Sequence, residues 1–335
     1  MTESVLNNSS ILLTGGTGSF GRAFTRYALD HYKPRKLVIF SRDEMKQYDM
    51  ENEFPVSQYP CLRYFLGDVR DVERLKQAMS GIDTVIHAAA MKQIPASEYN
   101  PFECIKTNIN GAENIINAAI YNRVKRVLAL STDKAVNPIN LYGATKLASD
   151  KLFVSANNMS SAAGTRFSVV RYGNVFGSRG SVIPYFLKLV KEGKRELPIT
   201  HPKMTRFWIT LEQGVQFVAG KLELMQGGEI FVPKIPSMKM VDLAKAVGPQ
   251  CEIKVVGIRP GEKLHELMIA SDDSRHVLEY KDYFVIQPAF HWWDSEAFAN
   301  RNGAKPVPED FEYSSDKNTS WLTEAQFHQI LSQKN

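Results

Sequence analysis

Short apolar runs alternate with longer segments of helical periodicity through the first half of the chain. Ile11-Leu12-Leu13-Thr14, Lys36-Leu37-Val38-Ile39-Phe40, Tyr64-Phe65-Leu66, Thr84-Val85-Ile86-His87, Arg126-Val127-Leu128-Ala129-Leu130 and Phe167-Ser168-Val169-Val170-Arg171 read as strands. Runs this short and this apolar suit strands covered on both faces. Helices are predicted at about 20–31 and 101–122, with another starting near Tyr142 after the Asn137-Pro138 break. Alternation of this kind from 10 to 172 predicts an α/β domain with a doubly wound parallel sheet. Beyond Tyr172 the rhythm loosens. Helical segments at 182–192 and 211–226 mix with short strands at 207–209, 230–232 and 253–256, divided by prolines. The expected division is a dinucleotide-binding domain over 1–175, with elements of 205–232 returning to it. The segments 176–204 and 233–335 would form a smaller C-terminal lobe for the substrate.

The turn after the first strand carries the first chemistry. Gly15, Gly18 and Gly21 follow a Gly-x-x-Gly-x-x-Gly spacing between a strand and a helix. Glycines there allow positive φ, close approach of backbone to a pyrophosphate and tight helix–strand packing, while the helix N-terminus faces the phosphate. This is the context of a Rossmann-type dinucleotide site. The second strand ends in Ser41-Arg42-Asp43, with Lys46 beyond, where an NAD site usually places a carboxylate for the ribose 2′-hydroxyl. A hydroxyl and a guanidinium suit a 2′-phosphate better, which favours NADP. Asp43 is the NAD-type alternative, and a solvated loop charge is the plain reading of Arg42. Asp68 is placed to reach an adenine amine or else to cap the helix beginning near Val72. Ala88-Ala89-Ala90, small and at a strand end, would let cofactor and backbone meet closely.

The second chemistry lies in Ser131-Thr132-Asp133-Lys134, at the carboxyl edge of the fifth strand, and in Tyr142 and Lys146. Open parallel sheets bind ligands at that edge. Tyrosine and lysine four apart share a helical face, and the ammonium is expected to favour the phenolate, making Tyr142 a proton acceptor. Alone, this spacing is weak, since a surface tyrosine covered by a lysine stem has the same pattern.

Composition narrows the classes. The 335 residues suffice for one large α/β domain or two unequal ones, and 44% hydrophobic with 23% charged residues is ordinary for a soluble globular chain. The net charge of +5 is spread without a basic stripe, so nucleic acid is not an expected partner. Cys61, Cys104 and Cys251 form no Cys-x-x-Cys pair, and the seven histidines no His-Glu-x-x-His, so no disulfide framework and no metal site is expected. Neither a signal peptide nor a run of ~20 apolar residues is visible, so a cytoplasmic location without membrane attachment is expected.

Taken together, the glycine turn and Tyr142-x-x-x-Lys146 resemble the extended short-chain dehydrogenase/reductase superfamily. Thr132-Asp133-Lys134 narrows the resemblance to sugar-nucleotide 4,6-dehydratases, whose hexose enzymes carry Asp-Glu in place of Asp133-Lys134. Together with Thr14-Gly15-Gly16-Thr17-Gly18-Ser19-Phe20-Gly21, Ser41-Arg42-Asp43-Glu44 and Arg259-Pro260-Gly261-Glu262-Lys263, the chain is most similar to the inverting UDP-N-acetylglucosamine 4,6-dehydratases of pseudaminic acid synthesis.

That resemblance implies a mechanism. Tyr142, assisted by Lys146, would take the 4-hydroxyl proton as NADP takes the C4 hydride, and Thr132 would hydrogen-bond the 4-oxygen. Lys134 would then remove the C5 proton and Asp133 protonate the departing 6-hydroxyl, before hydride returns to C6 and C5 is reprotonated on the opposite face. The resemblance places the cofactor on Thr14, Gly15, Thr17, Gly18, Ser19, Phe20, Gly21, Ser41, Arg42, Asp43, Lys46, Asp68, Val69, Ala88, Ala89, Ala90, Lys92, Tyr142 and Lys146. It places UDP-N-acetylglucosamine on Lys92, Thr132, Asn174, Val182, Ile183, Pro184, Tyr185, Arg206, Arg259 and Glu262, in a homo-oligomer, dimer or hexamer. Asp133 and Lys134 would ordinarily be a carboxylate and an ammonium, whereas elimination needs an acid and an amine. Desolvation favours that neutral pair. A retaining dehydratase, a UDP-hexose 4-epimerase and a non-catalytic NADP-sensing scaffold are the rivals. The epimerase needs no eliminating pair, and a scaffold has no need of both Tyr142 and Lys146.

Overall fold

The computed structural model describes residues 4–178, 180–290, 293, 298–299 and 303–332. The apolar runs form β1 (Ser10–Thr14), β2 (Lys36–Ser41), β3 (Leu62–Leu66), β4 (Thr84–His87), β5 (Arg126–Thr132) and β6 (Arg166–Tyr172). Their order is β3-β2-β1-β4-β5-β6, all parallel, and every residue of β1 and β4 is buried. The strand order reverses between β1 and β4, which opens a crevice at the carboxyl edge of the sheet.

Helices α1 (Ser19–His31), α2 (Glu44–Glu53) and α3 (Val72–Ala78) join the first strands. Two short helices follow, α4 (Ile94–Tyr99) and α5 (Pro101–Ile105), then α6 (Gly111–Tyr121) and α7 (Leu141–Ala156). The single helix expected over 101–122 is interrupted by a π turn at Lys106–Asn110. Such turns displace the helical register and recur at functional sites.

The second half divides between two cores. β7 (Asn174–Val175), α8 (Val182–Lys191), β8 (Glu196–Ile199), β9 (Thr205–Ile209), α9 (Leu211–Leu224), β10 (Ile230–Pro233), β11 (Ser237–Lys239), α10 (Met240–Val247) and β12 (Glu252–Val255) come first. β13 (Leu267–Ile269), β14 (Val277–Glu279), β15 (Tyr283–Ile286), β16 (Lys305–Pro306), β17 (Tyr313–Ser314) and α11 (Glu324–Ser332) complete the chain. A second core of Phe176, Ile183, Phe186, Leu197, Trp208, Leu243 and Phe327 defines a smaller lobe.

Two strand placements differ from expectation. Within 205–232, β10 joins the main sheet parallel to β6, but β9 does not; it lies between β7 and β11 in a three-stranded sheet of its own. Trp208 on β9 points into the lobe core, which holds the strand there. Conversely β15, β14 and β16, from the segment assigned to the lobe, extend the main sheet antiparallel beyond β10. Their buried Phe284 and Val285 belong to the main core, and this short meander covers what would otherwise be an open edge at β10.

Candidate active site

A cleft of about 790 Å³ opens at the carboxyl ends of β1, β2, β4, β5 and β6. At one end the glycine turn adopts φ +64° at Gly15, and a Cβ there would stand 2.9 Å from the Ala89 nitrogen. Glycine is therefore required twice over, for the left-handed backbone and for the near contact of the two strand-end loops. Gly18 begins α1 without a side-chain cap, so the first-turn N–H groups face the cleft as an anion site. Thr17, Ser19, Phe20 and the Ala88, Ala89, Ala90 loop line the same wall. This cradle fits a pyrophosphate.

Thr14 and Gly21 lie behind that wall. The buried Thr14 hydroxyl accepts from Ala88 N–H at 3.2 Å and Ala89 N–H at 3.3 Å, and meets His87 Nδ1 at 2.8 Å. Its place is under the loop rather than on the ligand side, because a hydroxyl at the last buried strand position must satisfy its neighbours' orphan N–H groups. Gly21 packs on the Gly16 backbone and seats α1 against the turn.

Ser41, Arg42, Asp43, Lys46 and Val69 line the cleft at the end of β2 and β3. Asp43 is committed to capping α2: Oδ1 accepts from Lys46 N–H at 3.0 Å and Oδ2 meets Lys46 Nζ at 2.7 Å. The Arg42 side chain is half-exposed and lies 3.6 Å from Asp68. Asp68 does not reach the cleft wall, and it caps nothing: Asp71 caps α3, accepting from Arg74 N–H at 2.9 Å. Asp68 instead takes the Arg70 guanidinium at 2.7 and 2.9 Å. Burial pushes its carboxyl up, but Arg70 and Arg42 outweigh that and hold it below the usual range.

At the other end, β5 delivers Thr132 and a 3₁₀ turn carries Asp133 and Lys134. Asn140 starts α7 by accepting from Gly143 N–H at 2.7 Å, and its amide donates to Gly261 O at 2.7 Å. A Cβ at Gly143 would collide with the Lys134 carbonyl, so glycine lets the turn rest on the helix start. Thr132, Lys134, Tyr142, Lys146, Lys92 and Asn174 thereby meet on one wall.

Asp133 is fully buried and absent from that wall. Its Oδ1 accepts from Thr132 Oγ1 at 2.9 Å and Lys134 Nζ at 3.1 Å, while Oδ2 has no hydrogen bond. Lys134 Nζ also meets Glu266 Oε1 at 3.2 Å and donates to Asn174 Oδ1 at 3.4 Å. Burial raises the Asp133 pKa, with Lys134 opposing and Glu266 adding to the rise. For Lys134 burial acts downward, but Asp133 and Glu266 together hold its pKa above the ordinary lysine range. The neutral acid–amine pair expected from desolvation is thus opposed on the lysine side by a second carboxylate.

The Tyr142–Lys146 expectation needs correction. Burial pushes Tyr142 up to about 12; Lys134 and the nearby Thr132 hydroxyl pull it back, while Asp133 and Asp150 add to the rise. Lys146 is not among the main influences on it; its ammonium donates to Leu130 O at 2.7 Å. Burial also lowers Lys146's own pKa, with Asp150 opposing, and lowers that of Lys92, where Lys134 adds to the effect.

Several expected substrate residues stand off the wall. Val182, Ile183, Pro184 and Tyr185 open α8, just past the lining residue Ser181. Ile183 is buried in the lobe core, as its spacing from Phe186 dictates, and Tyr185 lines a separate shallow groove. Arg206 is buried behind Lys134, 3.6 Å from Glu266, and its guanidinium donates to Thr205 O, Leu264 O and Lys263 O. Arg259 and Glu262 face each other at 3.7 Å on the loop tied to Asn140 through Gly261, outside the cleft lining.

Two residues escaped the sequence reading. Glu266, beside β13, completes the charge cluster around Lys134, and an isolated glutamate gives no local signal of that. Asn108 in the π turn holds the 88–93 loop, accepting from Met91 N–H at 2.8 Å, donating to Met91 O at 2.9 Å, and donating to Thr145 Oγ1 at 3.0 Å. A buried asparagine among apolar helical positions is the hint that was available for it. Among the described residues no group of three or more His, Cys, Asp or Glu is placed to hold a metal, and no helix is long and apolar enough to cross a membrane.

This sheet, glycine cradle and Tyr142–Lys146 helix define the extended short-chain dehydrogenase/reductase class. Within it the chain belongs to the polysaccharide biosynthesis protein family, whose model matches residues 11–288. It is 56% identical to the UDP-N-acetylglucosamine 4,6-dehydratase (inverting) of Campylobacter jejuni, over 98% of both chains. It is 43% identical to the UDP-glucose 4-epimerase of Rickettsia canadensis, over 83% of both. Among solved structures, Pen from Bacillus thuringiensis superposes with a TM-score of 0.89 at 35% identity, covering 98% of this chain and 99% of that one. DesIV, a dTDP-glucose 4,6-dehydratase from Streptomyces venezuelae with NAD and TYD bound, shares the fold at TM-score 0.67 and 22% identity, covering 76% and 86%.

Proposed function

We propose that this protein is an inverting UDP-N-acetylglucosamine 4,6-dehydratase. It converts UDP-N-acetylglucosamine to UDP-2-acetamido-2,6-dideoxy-L-arabino-hexos-4-ulose, the first step of pseudaminic acid synthesis. The observation that carries the reading is the Asp133–Lys134 pair beside Tyr142, its carboxylate buried and its ammonium half-buried on the wall at one end of a dinucleotide-sized cleft. The full-length likeness to a relative named for that reaction supports it. A 4-epimerase moves hydride at C4 but breaks no C6–O bond and has no use for an acid and a base at C5 and C6.

The cofactor is NADP. Its pyrophosphate would lie on the Gly15–Phe20 cradle and its 2′-phosphate against Ser41, Arg42 and Lys46; Asp43 already caps α2 and pairs with Lys46, which disfavours it as a ribose acceptor. When bound, the nicotinamide accepts the C4 hydride and returns it at C6.

Tyr142 takes the 4-hydroxyl proton and Thr132 holds the 4-oxygen. Lys134, as the amine, removes the C5 proton that the new ketone has made acidic. Asp133 gives its proton to the 6-hydroxyl, which leaves as water. Its carboxyl turns toward the cleft to do so, and Oδ2 has no hydrogen bond to break in turning. C5 is then reprotonated on the opposite face; a lysine stem is long enough to carry a proton there. Lys92 and Asn174, on the same wall, would contact the sugar or diphosphate. The protein works in the cytoplasm as a homo-oligomer; its free cysteines, Cys61, Cys104 and Cys251, suit a reducing compartment.

Incubation with UDP-N-acetylglucosamine should give the alkaline absorbance of a 4-keto sugar near ~320 nm. In deuterium oxide one deuteron should enter at C5, and proton NMR of the first product should show the L-arabino isomer. A first product with the original C5 configuration makes the enzyme a retaining dehydratase; galacto-configured UDP-sugar without a ketone makes it an epimerase.

A further inference from the structure

We propose that the open edge of β12 is where two copies of this chain meet, pairing antiparallel across a two-fold axis at Ile253. The inference gives a surface to the expected homo-oligomer and does not depend on the reaction.

β12 pairs with β8 in a two-stranded parallel sheet, and among the described residues no strand covers its other side. Glu252 N–H donates to Arg195 O at 2.8 Å and Val256 N–H to Ile199 O at 2.8 Å. Along a strand these directions alternate, so Ile253 and Val255 turn their N–H and C=O groups to the open side. An edge of this kind is a template for another strand, and chains that stay apart blunt it with lysine, proline, a bulge or a cover. β12 has one lysine, Lys254, and no proline. It ends in Val255, Val256 and Ile258, three half-exposed apolar side chains within four residues.

Charge decides the partner. Glu252 stands opposite Glu196 in the register with β8, and like charges placed so repel. Lys254 is bonded to Glu196 at 2.8 Å, which leaves Glu252 with no cation among the described residues. Glu252 and Lys254 are two apart, so they share one face of the strand. That face points away from the lobe core, against which Ile253 packs.

Charge also decides the register. The outward groups of Ile253 and Val255 admit two-fold pairings centred on Ile253, Lys254 or Val255. Centred on Lys254, the pairing sets that lysine against its own copy. Centred on Val255, it sets Glu252 against Ile258 and Lys254 against Val256. Centred on Ile253, it sets Glu252 against Lys254 of the second copy, and the reverse, at the non-hydrogen-bonded positions where side chains come closest. Each Lys254 then lies between Glu196 of its own chain and Glu252 of the other. A lone Lys254 would guard the edge; with Glu252 two residues away, the same edge matches itself. Such a contact uses one patch twice, as a two-fold homo-oligomer requires.

Sedimentation velocity at micromolar protein tests the pairing with Glu252→Lys and Lys254→Glu. Both side chains are exposed, and the first change places a cation opposite Glu196, so the fold should survive both. Each variant alone sets like charges opposite each other twice, and its assembly should fall to half the wild-type mass or less. Mixed in equal amounts, the two variants should recover the wild-type mass, because each supplies the charges the other lacks. Variants that keep the wild-type mass, or a mixture that stays dissociated, would overturn the pairing. A monomeric wild-type protein would overturn the homo-oligomer expectation along with it. A wild-type assembly that makes no 4-keto sugar from UDP-N-acetylglucosamine would overturn the dehydratase reading and leave this surface in place.

Discussion

Glu266 Oε1 lies 3.2 Å from Lys134 Nζ, so the lysine is held between two carboxylates rather than by its neighbour Asp133 alone. Arg206 and Lys263 back Glu266 from the other side, where burial alone would push its carboxyl up; Lys134, Arg206 and Lys263 outweigh that and hold it down. The cluster keeps Lys134 charged, yet a base must be an amine.

Glu266→Gln should therefore lower the pKa of Lys134. The rising limb of the kcat–pH profile should move to lower pH, because the amine appears earlier. Asp133, Tyr142 and Lys92 also face Lys134 and are unchanged in this variant. Stability should fall at the same time by roughly 3 kcal/mol, the lower end for breaking a buried ion pair, since the amide keeps some hydrogen bonding and Arg206 loses its partner. An unmoved pH profile with lowered stability would leave Glu266 a purely structural role.

The two carboxylates should respond to acid with opposite signs. Glu266 has a depressed pKa in the fold, so it stabilises above the ordinary glutamate value of ~4.3 and that contribution disappears as pH falls through its folded pKa. Asp133 has a raised pKa, so its protonation favours the fold, and stability from it grows as pH falls through the higher folded value. Melting temperatures measured as pH is lowered from about 7 to about 3 should lose their initial gain in Asp133→Asn and their acid fall in Glu266→Gln. Parallel curves for the two variants would contradict the assignment.

Gly15→Ala tests the cradle. The left-handed backbone costs a Cβ-bearing residue about 1–2 kcal/mol. The added carbon would also press on Ala89 N at 2.9 Å, a backbone atom that cannot rotate away. Lower melting temperature and weaker NADP binding by fluorescence should appear together. Full cofactor affinity in the variant would mean the turn does not carry the pyrophosphate.

What could be read from the chain, and what could not, divides along physical lines. β1, β2, β4, β5 and β6 are mostly apolar and buried because both faces are covered, and such runs announce themselves, while β3 at the sheet's edge is half exposed and still shows its Tyr64-Phe65-Leu66 run. The glycine turn and the Tyr142–Lys146 spacing are local patterns with fixed geometry. Glu266 comes from a distant loop and meets Lys134 only through the tertiary fold, so no spacing encodes it. The same holds for Lys146, whose partner turned out to be the Leu130 carbonyl rather than Tyr142. Ile183 sits in a stretch taken as ligand-facing, yet an isoleucine three before Phe186 on an amphipathic helix belongs to a core. β14, β15 and β16 are too short to show a period, and their return to the main sheet followed no sequence signal.

Arg42→Ala should weaken NADP binding by ~1.5–3 kcal/mol, the worth of a hydrogen bond to a charged group, and leave NAD binding nearly unchanged. The half-exposed guanidinium has only a loose 3.6 Å pairing with Asp68 to give up for a phosphate. Protein denatured after purification should release NADP(H). Equal weakening of both dinucleotides, or recovery of NAD(H) alone, would rule out a 2′-phosphate contact.

Lys134→Ala and Tyr142→Phe should stop the reaction at different places. Oxidation at C4 needs a proton acceptor for the 4-hydroxyl, and on that wall Tyr142 carries the phenol beside Thr132. Without it hydride has no reason to leave, and the cofactor should stay oxidised. Lys134 acts only once the ketone has made C5 acidic, so its loss should spare the first step. Reduced cofactor should then accumulate in Lys134→Ala, visible at ~340 nm, with the 4-keto hexose trapped behind it. Alanine also leaves Asp133 and Glu266 buried without the ammonium between them, which costs stability. Lys134→Met fills the same volume without the charge and controls for collapse of the site. If both lysine variants leave the cofactor as oxidised as Tyr142→Phe does, Lys134 is needed before hydride transfer and its role as the C5 base is wrong.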